Sequence, residues 1–86
     1  MKFKKGDIVT TNGTMKHNNY HDITNLKEVE IVYLYNGGKS FKGKIIKGSA
    51  KDSSSYYENK YKGRHIDYLS IKAFKLIKQS EKYQIF

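Results

Sequence analysis

Residues Val29 to Gly48 constrain this chain more than any other stretch. They read VEIVYLY, then Asn36-Gly37-Gly38-Lys39, then SFKGKIIKG. Two runs rich in β-branched and aromatic residues flank a turn. Its Asn and Gly residues tolerate the positive φ that tight hairpin turns need. The stretch is therefore expected to be a β-hairpin. Strict alternation puts Val29, Ile31, Tyr33 and Tyr35 on one face of the first strand, with Val32 and Leu34 on the other. In the second strand Phe41, Gly43 and Ile45 share one face, and Lys42, Lys44 and Ile46 share the other. Gly43 inside a strand marks a bend or a bulge.

The remainder reads as short strands around this hairpin. Gly6-Asp7 takes a turn, with Asp7 bonding its local backbone, and Ile8 to Thr11 enters a first strand. Asn12 to Lys27 is polar and irregular, and is long for a structureless loop, so it is expected to be functional or partly structured. Thr24 and Glu28 sit near capping spacing, which allows a short helical turn there. Gly48 to Ser55 is a loop, and Tyr56 to Lys62 a further strand. Lys62-Gly63-Arg64 turns into a strand over His65–Leu69, with Ile66 and Tyr68 on one face. Ser70 to Phe74 is expected as one helical turn with Ser70 as its N-cap, and Lys75 to Lys78 as the last short strand.

The opening Phe3-Lys4-Lys5-Gly6-Asp7-Ile8-Val9 resembles the start of many Src-homology-3-like (SH3-like) small β-barrels, including KOW-type and Tudor-like domains. In those an apolar residue and a Gly-Asp turn lead into strand one. The ending extends the likeness: a strand, a one-turn helix and a short Leu-Ile strand close such barrels. The resemblance covers residues 3–78. It implies a mostly β fold, a small barrel of about five to six strands with a one-turn helix before the last. Residues 1–78 form that domain. Residues 79–86 are a C-terminal tail whose Tyr83, Ile85 and Phe86 are expected to fold back on it.

Composition narrows the function. At 86 residues the chain buries only roughly 60–65% of its unfolded surface, so a sizeable pocket is hard to build. There is no cysteine, so neither a disulfide framework nor a thiolate metal site is available. No apolar run approaches the roughly 18 residues a membrane span needs, and no apolar segment follows the N-terminal lysines. The expected setting is soluble and cytoplasmic. The abundance of Lys, Asn, Ile and Tyr is what AT-rich codons produce, which points to a low-GC bacterium, its phage or its plasmids. The chain has no Gly-rich phosphate loop ahead of a helix and no Gly-x-Ser-x-Gly elbow. It is read as non-catalytic, without a cofactor. His17 and His21 beside Asp22 have the spacing of a metal pair on a helix, but the Asn-rich segment is loop-like and offers no further ligand at a convincing spacing.

The net charge is +9, and it is uneven. Residues 1–35 carry five lysines against four carboxylates; residues 36–86 carry eleven lysines and Arg64 against four. Such asymmetry favours a polyanionic partner, DNA or RNA foremost. The basic block runs from Lys39 to Arg64 with tyrosines interleaved. Lys39, Lys42, Lys44, Lys47, Lys60, Lys62 and Arg64 would meet phosphates, and Tyr56 and Tyr57 would stack on bases. With a single arginine against sixteen lysines, contacts to the backbone should dominate over reading of base edges. The competing expectation is a phage or mobile-element module that binds a host enzyme or a virion component. An acidic protein surface would suit the same lysines, and Asn12–Lys27 and the tail would make the contact. In either case a monomer is expected.

Overall fold

Val29 to Gly48 folds as the expected β-hairpin. The computed structural model describes residues 3–18, 21–52 and 65–80. In chain order its strands are β1 (Ile8–Thr11), β2 (His17–Asn18), β3 (His21–Asp22), β4 (Leu26–Tyr35), β5 (Ser40–Gly48), β6 (Lys51–Asp52), β7 (His65–Ser70) and β8 (Phe74–Lys78). The protein is mostly β, with one-turn 3-10 helices at Asn36–Gly38 and Ile71–Ala73. Among the described residues no helix is long and apolar enough to cross a membrane.

The main sheet has the antiparallel order β7-β5-β4-β1-β8. β4 and β5 are joined by the turn at Asn36, Gly37 and Gly38, which have φ of 52, 67 and 91°. That left-handed path explains the Asn-Gly-Gly sequence. The second 3-10 turn stands where the sequence places it, and the Ser70 hydroxyl accepts from the Lys72 N–H at 3.3 Å. The short helical turn that the spacing of Thr24 and Glu28 allows does not form. The Asp22 carboxylate accepts from the Thr24 N–H at 3.0 Å, and β4 begins at Leu26. Asn12 to Lys27 is partly structured: β2 and β3 pair with each other, and β3 with β6, in a small three-stranded sheet. Asn18 is buried and ties this sheet to the larger one by accepting the Ser70 N–H at 2.6 Å.

Among the described residues, hydrogen bonding does not close the main sheet into the expected barrel, since β7 and β8 stand at opposite edges. The three-residue turn between them carries the chain from one edge to the other. Curvature closes the core instead. Phe41 of β5 meets Phe74 of β8 edge to face, with ring centroids 5.1 Å apart, although β4 and β1 separate these strands in the sheet. Val9, Val29, Ile31, Ile45, Ile66 and Leu69 fill the space the coiled sheet encloses. The strand expected over Tyr56–Lys62 and the tail residues Glu81–Phe86 lie outside the described residues.

Candidate functional site

β5 is the middle of the basic part of the fold, with β4 on one side and β7 on the other. Its alternation is as expected: Phe41, Gly43 and Ile45 are buried, and Lys42, Lys44 and Ile46 point away from the core. Lys42 lies opposite Tyr33, and Lys44 lies between Glu30 on β4 and His65 on β7. Lys39 is exposed at the tip of the hairpin. Lys47 is engaged elsewhere in an ion pair with Glu28 at 3.2 Å. Among the described residues, neither Lys42 nor Lys44 takes part in an ion pair.

The neighbours of β5 do not keep their expected faces. The β4–β5 register slips between Ile31 and Tyr33, so Val32 is a bulged residue. Val29, Ile31 and Leu34 then face or border the core, and Tyr33 and Tyr35 lie on the other side. This corrects the expectation that Tyr33 and Tyr35 share a face with Val29 and Ile31. On β7, Ile66 pairs with Gly43 and Leu69 with Phe41, so two residues, Asp67 and Tyr68, stand opposite Lys42. Tyr68 has φ of 56° and turns outward, where alternation would have set it beside the buried Ile66.

The result is a cluster of three tyrosines around Lys42 on the outer face. Tyr33 meets Tyr35 edge to face with centroids 4.9 Å apart, and Tyr35 stacks on Tyr68 at 5.2 Å and 27°. Tyr35 on β4 reaches across β5 to meet Tyr68 on β7. The Tyr35 hydroxyl donates to Asp67 Oδ1 at 2.8 Å. That bond is made by the neutral phenol, and partial burial and the Asp67 charge act in the same direction. Together they push the Tyr35 pKa up to about 12. Tyr33 and Tyr68 are each 57% exposed, and Tyr35 between them is half-buried.

Of the residues singled out in the sequence, Lys42 and Lys44 come together on one face with Lys39 at its end, while Lys47 turns to Glu28. Tyr56, Tyr57, Lys60, Lys62 and Arg64 lie outside the described residues. Tyr33 and Tyr68 were not among the expected site residues, because alternation assigns both to the core. His17 faces Asp22 across the β2–β3 pair, and no group of three metal-ligating side chains gathers among the described residues. Comparison of the chain with known protein families, with curated proteins and with solved structures finds no match to any of them.

Proposed function

We propose that this protein is a non-catalytic module that binds nucleic acid through the outer face of β5 and its two neighbours. The observation that carries this reading is the juxtaposition on one sheet face of Lys42 and Lys44, neither in an ion pair with a described residue, with three clustered tyrosines. Lysines neutralise phosphates as point charges, and aromatic rings offer surface to bases. Lys39 extends the basic edge toward the hairpin tip. The reading also takes in Tyr56, Tyr57, Lys60, Lys62 and Arg64, which continue the same basic block in the sequence. Phosphate contact dominates in it, with little sequence preference, because lysine lacks the bidentate fork by which arginine reads guanine. We further read the fold as SH3-like. The Gly-Asp turn before β1, the long central hairpin and the single 3-10 turn between the last two strands support that likeness.

The test is a fluorescence titration with labelled oligonucleotides between about 50 and 200 mM salt. Affinity should fall steeply over that range. Replacing Lys42 and Lys44 together by Gln should flatten the plot of log affinity against log salt by about 0.7 to 0.9 per lysine removed, since each contact releases condensed counterions. An unchanged slope in the double variant would remove these two lysines from the interface. Failure of the wild-type protein to bind at the lower salt would end the reading.

A further inference from the structure

Two tyrosines on this face point outward against the alternation of their own strands. Tyr33 follows the buried Ile31 by two residues, and Tyr68 follows the buried Ile66 by two, so each would share its neighbour's inward face in a regular strand. A bulge intervenes in each case, at Val32 on β4 and at Asp67–Tyr68 on β7. The two bulges lie on either side of the same Lys42–Gly43 segment of β5. A bulge breaks ladder pairing and re-aims a side chain. A bulky residue at φ of 56° is held there against the clash of its own Cβ. Of the several register irregularities in the main sheet, the two that fall at this height each leave a tyrosine exposed.

Tyr35 fills the space between the two outward rings. It packs against both and is fixed by its bond to Asp67. Tyr33 and Tyr68 are each 57% exposed on the strands that flank β5, with Lys42 between those strands.

Resting on the nucleic-acid reading above, we propose that this cluster selects single-stranded over duplex nucleic acid by stacking unpaired bases on Tyr33 and Tyr68 while Lys42 and Lys44 meet the phosphates. In a duplex each base face is covered by its neighbours, so a double helix reaches the lysines and leaves the rings unused. Unpaired bases present their faces, and stacking accepts any base because every base has a π-face. DNA and RNA strands offer the same faces. Tyr35 is a positioning residue in this arrangement: its ring and hydroxyl hold Tyr68 and Asp67 in place.

The experiment titrates the protein with a single-stranded oligonucleotide and with the duplex it forms with its complement, at about 50 mM salt, for DNA and for RNA. Two variants accompany it. Tyr33→Ala removes an exposed ring. Tyr68→Gly removes the other and accepts φ of 56° without strain, so the fold is retained, as thermal unfolding of the variant will register. The single strand of at least one sugar type should bind about tenfold or more tighter than its duplex. Each variant should lower single-strand affinity about fivefold or more and leave duplex affinity unchanged. Equal affinity for strand and duplex, or variants that bind the strand as wild type does, would overturn single-strand selection and leave the nucleic-acid reading standing. Absence of binding to either would overturn both.

Discussion

A tyrosine at φ of 56° has no glycine's freedom to sit there, so the surroundings of Tyr68 must hold it. The Tyr35 ring stacks on it, and Asp67, the residue before it, accepts the Tyr35 hydroxyl. This small network has a titration signature. A tyrosine ordinarily ionises near pH 10, and Tyr35 is pushed up to about 12, chiefly because its neutral form donates to Asp67. The folded protein then holds the phenolic proton more tightly than the unfolded chain does. The bond's contribution to stability is complete below pH 10 and is lost as pH rises through about 12. Followed by NMR at its own ring signals, Tyr35 should still be neutral when ordinary tyrosines have ionised. Asp67→Ala should bring its pKa back down toward 10. Ionisation of Tyr35 near 10 in the wild-type protein would mean that the Asp67 bond does not persist in solution.

At the scale of elements, β5 carries the most consequence. Gly43 sits midway along it, between the two bulged neighbours. A Cβ built there would collide with the Val29 side chain and crowd Phe41 and Leu69 at 3.2 and 3.4 Å. The absence of a side chain lets the sheet coil tightly enough for Phe41 to reach Phe74. Gly43→Ala should therefore destabilise the fold by about 1–3 kcal/mol, read as a lower denaturant midpoint with an unchanged slope. A midpoint equal to wild type would show that Val29 yields to a methyl group at no cost. Gly43 and the Asn-Gly-Gly turn were legible in the sequence because both are backbone requirements that only certain residues meet. So were the inward Phe41 and Ile45 and the outward Lys42 and Lys44, which follow from period-two alternation. The faces of Tyr33 and Tyr68 were not legible. A bulge inserts one residue and reverses every side chain beyond it, and neither Val32 nor Asp67-Tyr68 has a composition that announces one. The open hydrogen bonding of the described sheet was not legible for a related reason: local patterns tell which residues turn inward, whereas pairing between edge strands is a long-range outcome.

Across the whole molecule, the two ends of the described chain are joined at one buried group. Asp7 is 1% exposed. Its Oδ2 accepts from the Lys4 N–H at 2.9 Å and its Oδ1 from the Ser80 N–H at 2.8 Å, 73 residues along the chain. Its carbonyl accepts from the Ile31 N–H at 2.9 Å, and the preceding Gly6 N–H donates to the Ile31 carbonyl at 2.7 Å. Asp7 thus ties the segment before β1 to the middle of β4 and to the residues after β8. Hydrogen bonds to a charged acceptor contribute about 1.5–3 kcal/mol, and a buried donor left without a partner costs about as much again. Asp7→Ala would leave the Lys4 and Ser80 N–H groups without their acceptor. Asp7→Asn, of the same shape, would turn an N–H toward one of them. Both variants should lose about 2–4 kcal/mol in chemical denaturation, a large share of what a chain of 86 residues holds in reserve. A loss below about 0.5 kcal/mol would mean that water replaces the carboxyl group at little cost. The position of this tie also separates stability from binding. The Asp7 carboxylate, which the variants change, joins Lys4 to Ser80 beyond β8, whereas Lys42 and Lys44 lie on β5 and Asp67 and Tyr68 on β7. Molecules of the Asp7 variants that remain folded should therefore bind oligonucleotide as wild type does. The Lys42, Lys44 and tyrosine variants should show the opposite pattern, with binding reduced and the fold retained.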